Sequence, residues 1–235
     1  HQIHFLHNSC YYKVMQRTRW KQRRELFLEQ GTKLISRYGF RDVSVEEIAR
    51  GCSMSVGSFY KYFHSKEEFY EEILDRLEGE GIRKANQIVS RLSSPVSKLK
   101  AVYRFITLGV RQYPILRGVL LRDEKYLYPG FEARLRKGEG VRAHIERLLL
   151  EIISEGGRRG IFRTGLYNNA SHMVVSILDT IIAHMDDPDV DDLISDVLVL
   201  VQRGLRRVIR IRRRDERRDR RLLEEGEGPE WLETE

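Results

Sequence analysis

An all-α fold in two parts is what this sequence predicts, on three observations. Apolar residues recur at helical spacing along most of the chain, in runs ended by Gly, Pro or Ser. Only 5 prolines interrupt 235 residues, and few stretches show the β-branched alternation of a sheet. Helix-start chemistry recurs at Ser44 with Glu47, at Ser65 with Glu68 and at Ser94-Pro95.

Composition sets the outer limits. With 41% hydrophobic and 33% charged residues, the chain can build one large or two small cores. Cys10 and Cys52 offer neither a disulfide framework nor metal-ligand spacing, which fits a reducing, cytoplasmic setting. No apolar run reaches the length of a membrane span, and no signal peptide is evident. The first methionine is Met15, so residues 1–16 read as an N-terminal extension or a remnant foreign to the fold. The net charge of +7 is unevenly placed: +6 over 15–66, −2 over 67–202, +8 over 203–221 and −6 over 222–235. A basic excess on one compact segment is the footprint of a nucleic-acid binder, although a charge run alone is more often a solvated face.

Taken in order, the first helix is predicted over 17–38, with Leu26, Phe27, Leu34 and Ile35 as core and Gly39 as its left-handed stop. Arg17, Arg19, Lys21, Arg23 and Arg24 lead into it, against the helix dipole, which makes sense if a phosphate is their neighbour. Ser44 and Glu47 form a capping box for a short helix whose inner face is Val45, Ile48, Ala49 and Cys52. Cys52-Ser53-Met54 breaks the pattern, and Ser55 caps a second helix running to about Phe63. Its exposed side is small, polar and aromatic, while Phe59 and Phe63 hold the core. That is a helix-turn-helix layout, in which the second helix enters the major groove.

These residues also carry a resemblance. Tyr38-Gly39-Phe40, Val43-Ser44-Val45, Ile48-Ala49, Gly57, Phe59-Tyr60, Phe63 and Lys66-Glu67 together resemble the N-terminal domain of the TetR (tetracycline-repressor) family, over residues 20–75. The chain departs from that pattern at Ser53, where Gly is usual in the turn. It departs again at Gln30-Gly31, where an Ala-Ala pair is common and Gly is expected to loosen the helix. Lys61-Tyr62 stands in place of a frequent aromatic-histidine pair.

The remainder reads as more helix. Ser65 to Glu68 opens a long helix to about Leu92, in which Gly79 and Gly81 interrupt the apolar stripe and predict a bend. Helices at 95–112, 114–127 and 131–157 follow, then Ile161-Phe162-Arg163 as a connector. Two apolar helices, 169–185 and 190–209, have more than one apolar face and predict a two-fold interface through Val174, Ile177, Ile181, Leu198, Val201 and Leu205. The Arg-rich and then Glu-rich end continues the last helix or forms a solvated tail.

No enzyme constellation stands out: there is no Glu-x-x-His, phosphate-cradling glycine loop, dinucleotide fingerprint or Gly-x-Ser-x-Gly elbow. No cofactor or metal is expected. The resemblance implies a small-molecule pocket, with Tyr103, Phe105, Ile106, Tyr113, Tyr126, Phe131, His144 and His172 on the enclosing helices; plain core packing is the rival reading for each. It also implies DNA contacts from Arg41, Ser44, Ser55, Val56, Gly57, Ser58, Tyr60, Lys61, Tyr62, His64 and Lys66. The expected organisation is an extension (1–16), a helix-turn-helix domain (17–66), a helical ligand-binding and dimerisation domain (67–210) and a charged tail (211–235). The expected function is a homodimeric, ligand-responsive repressor on a palindromic DNA operator. A helical enzyme or carrier with a borrowed helix-turn-helix, and a ligand-free architectural DNA binder, are the alternatives; neither the effector nor the operator is legible.

Overall fold

The computed structural model describes the backbone of residues 2–136, 140–163 and 170–205. Its elements are α1 (Gln2–Tyr38), α2 (Val45–Gly51), α3 (Val56–Phe59), α4 (Lys66–Arg91), α5 (Pro95–Gln112), α6 (Pro114–Leu121), α7 (Phe131–Arg136), α8 (Val141–Arg158), α9 (Ala170–Ala183) and α10 (Val190–Leu205). A 3-10 turn, Glu124–Tyr126, lies between α6 and α7. The expected tail at 211–235 lies outside the described residues.

Several boundaries differ from the sequence expectation, each for a local reason. α1 is helical from Gln2 rather than from residue 17, because nothing between them breaks a helix. α3 is a single α-turn; the chain continues to Phe63 through mixed bonds, Tyr62 N–H to Phe59 O at 2.9 Å and Phe63 N–H to Phe59 O at 3.2 Å. α6 stops at Leu121 because Arg122 takes a left-handed φ of 56°, which no α-helix accommodates. The expected helix 131–157 is two helices, with Gly140 at φ 108° ahead of the second. α4 is helical straight through Gly79 and Gly81.

The chain divides into two compact units: residues 1–76 with 122–131, and 77–121 with 132–235. In the first, α1 contributes Phe27, Leu28 and Ile35, α2 contributes Val45, Ile48 and Ala49, and α4 contributes Phe69, Tyr70, Ile73 and Leu74, all buried. The centre is aromatic: Phe59, Phe63 and Phe69 have ring centroids 4.8–5.2 Å apart, and Phe27 meets Phe59 edge-on at 5.6 Å. Gly31 makes this cluster possible. A Cβ there would fall 2.2 Å from Phe69 Cζ, so the ring occupies the space an alanine would fill.

Residues 122–131 belong to this unit and act as a strap across it. Phe40 N–H donates to Lys125 O at 2.8 Å, Tyr70 Oη–H to Tyr126 O at 2.9 Å, and Tyr126 Oη–H to Ser36 O at 3.0 Å. Tyr128 Oη–H donates to Glu71 at 2.5 Å. Gly39, at φ 87°, lets the strap approach, since a Cβ would lie 2.7 Å from Lys125 O.

The second unit packs α5, α8 and α9 around Leu99, Val102, Tyr103, Leu149, Ile152, Leu178, Ile181 and Ile182. Arg142 on α8 forks onto Asp179 of α9 at 2.8 and 2.9 Å. Four residues expected at a two-fold interface, Val174, Ile181, Val201 and Leu205, are buried in this unit's own core, so they are not surface residues of the chain; Ile177 and Leu198 are half-buried. The apolar residues left outside are Leu150, Met173 (52% exposed), Val199 and Leu200 (64% exposed).

Gly31→Ala tests the sign of the packing argument. Helix propensity alone favours alanine by about 1 kcal/mol, whereas overpacking against an immobile ring costs about 1–3 kcal/mol. The substitution is expected to lower the melting temperature, and Phe69→Leu in the same chain to recover part of the loss. A melting temperature raised by Gly31→Ala alone would refute the close approach.

Candidate nucleic-acid interface

The interface is built on caps. Ser44 Oγ accepts from Glu47 N–H at 3.2 Å while Glu47 Oε2 accepts from Ser44 N–H at 2.8 Å, closing the expected capping box. The Glu47 carboxyl is held below its usual pKa by the bonds it accepts from Ser44, first from the backbone N–H and then from Oγ–H, also at 2.8 Å. The turn then passes through Ser53 at φ 55°, the left-handed region glycine favours, and Met54 N–H returns to Ala49 O at 2.9 Å. Ser55 caps α3 by accepting from Ser58 N–H at 3.2 Å. The second expected box is only half made: Ser65 Oγ accepts from Glu68 N–H at 3.0 Å, but the Glu68 carboxylate accepts from His64 N–H and faces His64 Nδ1, both at 2.7 Å.

This frame sorts the expected DNA-contacting residues. Ser55, Gly57, Tyr60 (54% exposed) and Lys61 are open to solvent along α3 and the turn after it, with Val56 and Ser58 half-buried beside them. Tyr62 is packed, its ring 5.2 Å from Trp20 and 5.7 Å from Phe27. Arg41 is paired with exposed Glu124 at 3.4 Å, a weak link in open solvent. Exposed His64 is engaged by Glu68. Lys66 departs most from expectation: its ammonium sits 4.2 Å above the Phe40 ring, and burial draws its pKa down. A phosphate contact from Lys66 requires it to leave that ring.

The leading cations of α1 also divide. Arg24 forks onto both oxygens of Glu72 and lies over the Phe63 ring at 4.9 Å, so it holds α1 to α4 rather than facing solvent. Its Nε is buried without an acceptor. Arg76 completes the knot, donating to Glu25 at 2.5 and 2.6 Å and to Glu72 at 3.1 Å. Arg17, Arg19, Lys21 and Arg23 are exposed. Sequence reasoning missed Trp20, the ion knot and the strap; the contacts that reveal them lie 42 or more residues apart.

Within the second unit, a cleft of about 810 Å³, counted out to the surface, lies among α4, α5, α6 and α8; in about 70 Å³ of it the centre of a water molecule fits. Its walls include Ile82, Val102, Phe105, Ile106, Val110, Leu116, Leu120, Ile145 and Leu148, with Glu80, Lys84, Tyr113 and His144 as polar members. Lys84 is paired with Glu80 at 2.6 Å. His144 Nε2 faces Asn86 Oδ1 at 3.2 Å, and burial, then Arg147, lowers the His144 pKa. Of the expected pocket residues, Phe105, Ile106, Tyr113 and His144 line this cleft. Tyr103 does not: it is fully buried and donates to Val174 O at 2.5 Å, its hydroxyl pKa pushed up by burial. Tyr126 and Phe131 belong to the first unit, and His172 is exposed on α9.

Among the described residues, no group of three or more potential ligands could hold a metal ion. No described helix is long and apolar enough to cross a membrane.

Comparison with known proteins identifies the DNA-binding segment. Residues 27–73, which span the caps, the turn and α3, match the model of the bacterial regulatory proteins of the tetR family. That segment is a TetR-type helix-turn-helix domain. The chain is similar to the transcriptional repressor NicS of Pseudomonas putida, 25% identical over 78% of this chain and 92% of NicS. The uncharacterised regulator YuxN of Bacillus subtilis is 40% identical, but over 23% of this chain and only 19% of its own length. Among solved structures, FadR of Bacillus subtilis, determined in complex with stearoyl-CoA, has the same fold, with a TM-score of 0.64 at 18% identity, covering 77% of this chain and 98% of that one. The match makes residues 27–73 the DNA-binding helix-turn-helix segment of a transcription regulator, and the fold of the described residues is the all-helical one of FadR.

Lys61 is the exposed cation nearest the recognition turn. Lys61→Ala is expected to weaken binding to any duplex and to reduce the slope of log affinity against log salt by about one per half-site. An unchanged slope would show that Lys61 faces away from the phosphates.

Proposed function

We propose that the protein is a homodimeric transcriptional repressor that leaves a near-palindromic operator when an apolar small molecule enters the cleft. The observation that carries this reading is the pairing of a capped, solvent-facing recognition turn in one unit with an apolar cleft in the other. Ser55, Val56, Gly57, Ser58 and Lys61 are assigned to the major-groove floor, with Val56 limited to apolar contact such as a thymine methyl. Arg41, Ser44, Tyr60, Tyr62, His64 and Lys66 are assigned to the flanking backbone; Lys66 takes that role on leaving Phe40. A repressor of chromosomal genes works beside the chromosome, in the cytoplasm.

Two-fold symmetry of the operator requires a second copy. The exposed Leu150, Met173, Val199 and Leu200, with half-buried Ile177 and Leu198, offer the apolar face for it. For the effector, long acyl chains are the first class to screen, given the apolar walls and the stearoyl-CoA bound by FadR of similar fold. Entry of a chain between these walls is the proposed source of the switch.

Coupling to the DNA-binding unit has three covalent routes, since the chain crosses between units at 76/77, 121/122 and 131/132. The second follows directly from α6, whose Leu116 and Leu120 line the cleft, into the strap bonded to α1 and α4. Coupling of this kind is typically about 1–3 kcal/mol, roughly 5- to 150-fold in affinity.

Selecting bound sequences from random DNA and then screening acyl compounds for release tests the whole reading. A two-fold-symmetric selected site and at least one releasing compound are expected; selection without any sequence preference would overturn it. Met173→Glu with Leu200→Glu is expected to give monomers by light scattering, and a DNA-competent dimer in that variant would place the interface elsewhere. Tyr70→Phe with Tyr126→Phe, which removes two strap bonds, should shrink the ligand-induced release while leaving ligand-free DNA affinity within about threefold. Undiminished release in that variant would show that these two bonds do not carry the coupling.

A further inference from the structure

The inward stripe of α1 changes its chemistry before it changes its direction. Ile35, Gly31, Leu28 and Phe27 face the first unit's core at helical spacing. Towards the N-terminus the same stripe continues as Arg24, Lys21, Trp20 and Arg17, spaced i, i+3, i+4 and i+7 counted from Arg17. Arg24 still has a protein partner in Glu72. Beyond it Arg17, Trp20 and Lys21 are exposed, and Trp20 meets its own unit at Tyr62.

Trp20 fixes where that stripe points. Its ring is 46% exposed, yet it is held 5.2 Å from Tyr62 and 5.7 Å from the Arg24 guanidinium. Tyr62 directly follows Lys61, so the indole stands beside the end of the recognition turn. Among the described residues its N–H has no acceptor, and no carboxylate pairs with Arg17 or Lys21. From Met15 to Arg24 there are five cations and no acid. A large aromatic side chain is thus left nearly half in water, flanked by two exposed cations. The segment also precedes the part of the chain that matches the family model, which begins at residue 27.

We infer that Arg17, Trp20 and Lys21 form a second DNA contact, gripping the phosphate backbone beside the base pairs reached by α3. The partner is duplex DNA, on two grounds: charge complementarity, and continuity with the recognition turn through the Trp20–Tyr62 contact. Arg17 and Lys21 each meet a phosphate, and the Trp20 indole N–H donates to a phosphate oxygen between them. These contacts read no sequence; they lengthen the footprint and set the register of α3 in the groove. The inference rests on the helix-turn-helix reading of the first unit. Arg19 and Arg23 lie about 110–150° round the helix from the stripe and make no such contact.

The test uses the full chain and a random-sequence duplex of about 30 base pairs, three helical turns. Arg17→Gln with Lys21→Gln is expected to reduce the salt slope by about 1.8 per protomer, at about 0.9 per phosphate, with an unchanged melting temperature. Arg19→Gln with Arg23→Gln should leave the slope as it was. The chain has 2 tryptophans, so Trp231→Phe leaves Trp20 as sole reporter, and its emission should change on adding duplex. If the first pair leaves the slope unchanged while Lys61→Ala reduces it, the second contact is overturned and the recognition turn stands. If neither alters the slope, both fall. Equal losses from both pairs would mean diffuse charge attraction rather than a directed stripe, and would also overturn the proposal.

Discussion

The seat of Phe69 against Gly31 is the constraint on which the first unit depends. It brings α4 onto α1 at the distance of a bare backbone, and Phe59 and Phe63 complete the cluster around the same ring. Each fully buried phenylalanine contributes about 1.5–3 kcal/mol, so three of them suffice to orient a helix of only four residues. α3 has too few hydrogen bonds to persist alone. Its exposed edge is positioned because its inner residues cannot move. The ion knot of Arg24, Glu25, Glu72 and Arg76 surrounds this contact with charge and leaves Arg24 Nε without a partner, a local cost offset by the other bonds of the guanidinium.

What the sequence disclosed was local. Ser44 and Glu47 are three residues apart, each within reach of the other's backbone N–H, so the capping box was legible, as was the left-handed Gly39. Ser53 was noticed as a departure from glycine, and its positive φ supplies the physical reason glycine is usual there. Gly31 was misjudged for the opposite reason. Its cost to the helix is intrinsic, but its use lies 38 residues away in Phe69. The interface expectation meets the same limit: periodicity shows that a face is apolar, not which neighbour covers it. Val174 and Ile181 are covered by their own chain, whereas Met173 and Leu200 are not. Lys66 stood at a position that implied a phosphate contact, and no pattern in the sequence indicated the Phe40 ring beneath it.

The strap was invisible for a related reason. Residues 122–131 carry Pro, Gly, Asp and charged residues, the composition of an ordinary surface turn. Yet Tyr126 and Tyr128 are buried, and their hydroxyls bond to partners in α1 and α4. Two tyrosines with both ends satisfied change a loop into a fixed structural member. The strap is thereby tied to α1 and α4 by hydrogen bonds whose loss is measurable one at a time.

A reader of DNA assembled partly from residues 122–131 is not a detachable N-terminal module. Cutting the chain after Arg76 strips the cover from Phe40 and Tyr70, whose rings stack at 4.9 Å beneath Tyr128. A chimera that transplants residues 1–76 onto another regulator's effector domain thus inherits the donor's caps and groove-facing side chains but the host's strap. Its success turns on whether the host offers a tyrosine where Tyr126 stands and a backbone carbonyl where that of Lys125 lies. Recombination within such a family is then limited less by the boundary along the chain than by a ten-residue segment far beyond it.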